Sequence, residues 1–139
     1  MKSVEGEFEN LYFHDSPVKA ILINADWITI DLSFAHIDSE HSQNSSGKVI
    51  CAKDCQLRFS EVEALIVKVH QDEQNGWAVT MTPKRSDFLL DIVETEKNEA
   101  GYYQLSGMTE GAQWSEWWIK AKNVALTWEL EGKSWLTKE

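Results

Sequence analysis

The chain has 139 residues, 42% of them apolar and 26% charged, and its 13 basic against 23 acidic side chains leave a net charge of −10. That length fits a single domain with a core of its own, and the composition excludes wholesale disorder. The acidic excess excludes nucleic acid and an anionic membrane surface as expected ligands, because both need clustered Lys and Arg, and it suits a basic protein partner.

In chain order, the first segment is residues 7–13, where Phe8, Asn10 and Tyr12 alternate with Glu9, Leu11 and Phe13. Its aromatic content predicts a strand. Glu9-Asn10-Leu11-Tyr12-Phe13 spells most of a tag-removal protease site, but His14 stands where such a site carries glutamine, so the segment is read as native. Residues 18–23 and 28–36 are β-branched runs separated by Asn24-Ala25-Asp26, which is a hairpin signal. In the second arm Ile28, Ile30, Leu32 and Phe34 alternate with Thr29, Asp31 and Ser33, predicting one face in and one face out. Residues 38–48 are the longest polar run and predict a mobile loop. Residues 57–69 carry two signals. Ser60-Glu61-Val62-Glu63 resembles a capping box ahead of helically spaced Val62, Leu65, Ile66 and Val69, while Leu57/Phe59 and Leu65/Val67/Val69 alternate. The β-branched Ile66, Val67 and Val69 favour two strand segments with a bend near residues 60–63 over one short helix.

Residues 77–82 and 88–93 predict further strands, the second with Phe88, Leu90 and Ile92 on one face. Residues 94–101 read as a charged turn, and residues 102–105 as the hairpin partner that returns from it. The last two strands are expected over 114–121 and 124–130. Trp117, Ile119 and Ala121 are odd positions, whereas Val124, Leu126, Trp128 and Leu130 are even. If all of these face the core, the parity changes near Lys122-Asn123, which predicts a β-bulge or tight turn there. About eight short strands with polar turns predict an all-β fold over residues 1–139, an antiparallel sandwich or partly open barrel. No run approaches the ~18 apolar residues of a membrane span, and the opening residues lack the apolar centre of a secretory signal, so the cytoplasm is the expected compartment. Cys51 and Cys55 are then expected as free thiols.

Candidate chemistry is sparse. His14-Asp15-Ser16 holds the residue types of a nucleophilic triad, but neighbours on one strand point to opposite faces and cannot form it among themselves. Asp15 and Ser16 before Pro17 read instead as turn-capping residues, with His14 bonding across the sheet. His36, Asp38, His41, Cys51 and Cys55 are ligand types without a recognised zinc spacing, so no metal and no cofactor is expected. The chain contains no phosphate-binding glycine loop and no nucleophile elbow, and its carboxylates are scattered; a non-enzymatic role is expected.

The most informative feature is the tryptophan content, seven in all, with three in Trp114-Ser115-Glu116-Trp117-Trp118. On a strand, Trp114 and Trp118 share a face with Glu116 while Trp117 points the other way. One face then sets large aromatics among charges, as a binding surface would; the competing reading is that these rings close a small core and its rim.

Tyr12-Phe13-His14-Asp15-Ser16, the hairpin through residues 28–32, and the closing Trp118-Ile119-x-Ala121-x-Asn123-Val124-x-Leu126-x-Trp128 resemble small bacterial all-β families of unassigned function. The likeness covers the two ends, about a third of the chain. Some members of such families are regarded as immunity proteins that neutralise toxins passed between competing bacteria. The resemblance implies binding and names no catalytic residue. The expected function is therefore a protein-binding module that occludes a basic partner, with Trp114 and Trp118 as anchors and Glu110 and Glu116 meeting Lys or Arg. The alternative is a sandwich that stacks a small ligand such as a sugar on the same tryptophans; a groove lined by the rings would favour that reading, and a flat or convex face the protein one.

Overall fold

A computed structural model of the chain describes residues 1–72 and 74–132. Among these residues the regular structure is almost all strand, with two short 3₁₀ turns. Along the chain the strands are β1 (Lys2–Glu5), β2 (Leu11–Tyr12), β3 (Ser16–Ile23), β4 (Trp27–Ile37), β5 (Ile50–Asp72), β6 (Gly76–Thr80), β7 (Asp91–Ile92), β8 (Glu94–Lys97), β9 (Tyr102–Met108), β10 (Trp114–Trp128) and β11 (Leu130–Gly132). All pairings are antiparallel, and the main path runs β7-β3-β4-β5-β10-β9-β8. The long strand β5 organises the sheet. One edge pairs with β11 and then β10; the other pairs with β4 over its first half and with β6 from Val67 to Asp72.

The sheet curls until it nearly closes into a barrel, and the segment around β7 makes the seam. β7 pairs with β3 through Ser16/Ile92 and Pro17/Asp91. Its flanks lie along β9, with a bridge between Leu89 and Thr109 and N–H donation from Leu90 to Met108 O (2.7 Å) and from Val93 to Ser106 O (2.8 Å). Gly107 permits this approach: a Cβ there would stand 2.1 Å from Asp91 O. Ile28, Ile30, Leu32, Leu57, Phe59, Val67, Leu105, Trp117, Ile119 and Leu126 fill the interior. The Tyr103 ring lies 5.0 Å from Phe8 and 5.3 Å from Phe59.

Strand coiling explains where simple alternation holds and where it breaks. Residues 57–69 are neither a helix nor two strands but part of β5, with the expected irregularity at Glu61 (φ 52°) and a register shift opposite Lys120/Ala121 that leaves Glu63 extra. Residues 114–128 are one strand. The inward set passes from Ser115, Trp117 and Ile119 to Val124, Leu126 and Trp128, so the parity changes near Lys122-Asn123 without a turn. Leu130 is not on that buried face; it begins β11 and is exposed. In β4 the alternation flips after Leu32, leaving Phe34 half-buried and Ala35 and Ile37 in the core; opposite, Asp54 takes a positive φ of 48° at the same corner.

Other corrections have local causes. Residues 8–10 form a 3₁₀ turn rather than a strand, and its three-residue period carries Phe8 and Leu11 inward together. A second 3₁₀ turn, Arg85–Asp87, precedes the seam, where Leu89 and Ile92 are buried and Leu90 faces solvent. The charged stretch after residue 93 is strand β8, and the turn itself is residues 98–101. Residues 38–48 do form a loop, but it is pinned. Asn44 Nδ2 donates to the carbonyls of Asp38 and Lys48, at 3.0 and 2.8 Å. His41 is buried, with Nε2 donating to Gly6 O (3.0 Å) and Nδ1 accepting from Gln43 N–H (3.1 Å), which fixes its tautomer.

Candidate functional site

The strand pleat divides the tryptophan cluster. Trp117 is fully buried, its Nε1–H donating to Asp87 O (3.1 Å) and its ring 5.7 Å from Phe88. Trp114, Glu116 and Trp118 stand half-buried on the outer face of the barrel. Pairing across the sheet sets Trp114 beside Met108, Glu116 beside Ser106 and Lys68, and Trp118 beside Gln104 and Ile66. Trp118 Nε1–H donates to Glu116 Oε1 (3.1 Å), and its ring meets Tyr102 edge-on at 6.3 Å. The Lys68 ammonium lies 5.0 Å from the Trp118 ring centre, and Lys120 lies 5.9 Å from that of Tyr102.

Beyond β5 this face continues onto β6. His70 pairs with Trp77 and Lys68 with Val79, so Trp77 and Val79 point outward, whereas Ala78 and Thr80 lie on the side of their partners Val69 and Val67. β6 thus lies at the rim of the sheet, with Ala78 exposed and Thr80 half-buried on one side and its large apolar residues in solvent on the other. Trp77 is 42% exposed, Val79 61% and Met81, just past the strand, 72%. The register that pairs Ser115 with Val69 brings Trp114 level with His70, and Leu90 lies beside Met108. A belt of Trp77, His70, Trp114, Met108 and Leu90 therefore crosses four strands and the seam. The Trp77 ring meets His70 edge-on at 5.1 Å, and Leu90 and Met108 are exposed side by side at the seam.

The carboxylates are placed unevenly. Glu116 is on the ring face, joined by Glu94 and Glu96, which pair with Ser106 and Gln104. Glu110 is elsewhere: it lies in the turn between β9 and β10, ion-paired to Arg85 (Nε to Oε2, 2.7 Å). It is not one of a free acidic set around the rings. Lys68 and Lys120 share the face with the acids, and Lys120 reaches Glu63 at 3.9 Å. Clefts beside Lys19 and Asp54, Arg85 and Glu110, Lys48 and Glu131, and Lys84 and Asp87 are all lined without Trp114 or Trp118.

The remaining candidates are held by structural contacts. Ser16 is buried and its hydroxyl donates to Phe34 O, while His14 is exposed and bonds to Val93 O (3.0 Å) and approaches Asp15 (3.1 Å). Asp15 takes a positive φ of 58° in the turn that Ser16 N–H closes onto Phe13 O. Cys51 and Cys55 are free thiols, both buried. Burial pushes the Cys55 thiol up to about 12, and the Cys51 thiol also above its ordinary value. A buried thiol held neutral is a poor nucleophile. Among the described residues no three His, Cys, Asp or Glu side chains gather around one point, and no helix is long and apolar enough to cross a membrane.

Comparison with protein-family models, curated proteins and solved structures gives no match for this chain. The outer belt is thus read from geometry alone. Sequence reasoning found Trp114, Glu116 and Trp118 but missed Trp77, Val79, Met108 and Leu90. The available signal was the spacing Trp77-x-Val79-x-Met81, an apolar set on one face of a strand whose other face offers only Ala78 and Thr80.

Proposed function

We propose that this chain is a non-enzymatic protein-binding module of the immunity-inhibitor kind, which occludes a basic partner with the outer face of β9, β10, β5 and β6. The exposed apolar residues of β6 carry the reading. Leaving Trp77 and Val79 in solvent is unfavourable for an isolated domain, since each large apolar side chain left exposed forgoes roughly 1.5–3 kcal/mol of burial. Trp77, Trp114 and Met108 supply the anchor types enriched at interface centres, and Glu94, Glu96 and Glu116 supply carboxylates for Lys or Arg around them. The rings stand on an open sheet face, which suits a protein surface better than a sugar; Lys68 already covers the Trp118 ring that a sugar would need.

Two kinetic signatures test the proposal on the captured partner, best sought in the product of a neighbouring toxin-like reading frame. Association should slow steeply with added salt, because screening at ~0.15 M shortens electrostatic reach to about 8 Å. Dissociation should accelerate at least tenfold for Trp114→Ala or Trp77→Ala in a folded protein. Unchanged dissociation in both variants overturns the reading.

A further inference from the structure

The geometry points to a second surface with a different occupant: the free edge of β6 pairs with β6 of a second copy of this chain. Among the described residues β6 pairs with β5 alone, so its other edge presents unpaired backbone donors and acceptors. Such an edge is a template for another strand, and proteins usually blunt it with lysine, an inward charge, proline or a bulge. None of these falls within Gly76-Trp77-Ala78-Val79-Thr80; Pro83 comes after the strand, and the register shift is back at the turn, between His70 and Asp72.

Charge selects the occupant. The seven residues from Gly76 to Thr82 carry no charge, in a chain that is 26% charged with a net of −10. A basic partner gains no attraction from such a strand. Two copies, which repel one another in general, meet here without placing like charges opposite each other. The strand also complements itself. A two-fold antiparallel pairing centred on Ala78 sets Trp77 of each copy opposite Val79 of the other, on the outer face, as an aromatic–β-branched cross-strand pair. The two apolar belts then join into one surface across the dimer. This inference does not rest on the proposed partner and survives its failure.

Sedimentation equilibrium of the full chain tests it, from about 5 µM to about 500 µM, the range in which a contact of this modest size associates. The weight-average mass should rise from 15.9 kDa toward twice that value. Raising salt from about 0.05 to about 0.5 M should strengthen association by screening the repulsion between copies, the opposite of its effect on a basic partner. Val79→Glu faces Lys68 within the monomer, an opposite-charge pair that preserves the fold, yet across the dimer it sets a carboxylate opposite Trp77 of the other copy and the two glutamates at a diagonal spacing of about 7–8 Å; it should weaken association at least tenfold. Leu22→Glu, on the exposed side of β3, should leave association unchanged. A monomer throughout the range, a dimer indifferent to Val79→Glu, or equal loss with Leu22→Glu overturns the inference.

Discussion

Replacing Gly107 with alanine should open the seam of the barrel. A Cβ at this position would meet Asp91 O at 2.1 Å, Asp91 Oδ1 at 2.9 Å and Asp91 C at 3.0 Å. The nearest of these is backbone, so no rotamer change relieves the clash, and β9 and the β7 segment must separate by about 1 Å to restore ordinary contact. That movement breaks two bonds across the seam, Leu90 N–H to Met108 O at 2.7 Å and Met108 N–H to Asp91 Oδ1 at 3.0 Å. Two lost hydrogen bonds at about 1 kcal/mol each, with ~1–3 kcal/mol for overpacking, give a destabilisation of about 3–5 kcal/mol. Two other glycines serve as controls. At Gly111 the nearest atom is Ser86 O at 3.1 Å, and at Gly132 it is Cδ of the Lys53 side chain at 2.7 Å, which can swing away. Both alanine variants should fall within about 1 kcal/mol of wild type, as accommodated changes do. Urea unfolding followed by tryptophan fluorescence reads all three. A Gly107→Ala protein within 1 kcal/mol of wild type would refute the seam argument, as would three equal losses.

The buried and exposed tryptophans should separate cleanly in the same assay. Trp117→Ala and Trp128→Ala should each cost ~3–5 kcal/mol, because those rings are 0% and 4% exposed, whereas Trp114→Ala and Trp118→Ala should cost well under half as much. Cys55 should resist iodoacetamide in the native state: raising its thiol from 9.0 to about 12 leaves about a thousand-fold less thiolate at neutral pH, before burial is counted. Because the folded value is the higher one, the stability this thiol contributes is complete below pH 9 and is lost as pH rises toward 12. On the acid side, donation from Ser42 holds Glu7 below its ordinary 4.5, donation from Tyr12 holds Asp38 below 3.8, and burial holds His36 below 6.5. All three are lowered, so each contributes stability above its ordinary value that is lost as pH falls through the lowered one; amide protection factors over residues 38–48, corrected for the intrinsic pH dependence of exchange, should fall on acidification, and unchanged protection would contradict the ties to Glu7 and Asp38.

The parts of the fold legible in sequence were those set by strand pleat alone. Val124, Leu126 and Trp128 alternate with Ala125, Thr127 and Glu129, Trp117 and Ile119 hold the opposite parity, and two runs of opposite parity in one strand require a slip between them. Features fixed by distant partners were not legible. Nothing near His41 marks Gly6 O as its acceptor 35 residues away, so a polar loop read as loose is in fact stitched to the N-terminal turn. Phe8 and Leu11 fit a strand or a 3₁₀ turn equally until the space they must fill is known. Gly107 looks like any strand glycine until Asp91 is brought against it by closure of the sheet.

The outer belt was hidden for a different reason. Alternation tells which residues of a strand share a face, but the pattern is symmetric and does not say which face is inside. The usual tie-breaker assigns the apolar set to the core. That rule served β10, where Ser115, Trp117 and Ile119 point in, and it fails on β6, where Trp77 and Val79 point out. The failure is informative because β5 settles the orientation independently. Val67 and Val69 are buried, and antiparallel pairing forces their partners Thr80 and Ala78 to the same side. Register with the buried strand, rather than hydrophobicity, therefore decides the orientation of β6. A strand whose own pattern opposes the register imposed on it retains apolar surface at a cost in solvation. Contact with another molecule offsets that cost, and the uncharged edge and the ring-bearing face of β6 are where that contact is to be sought.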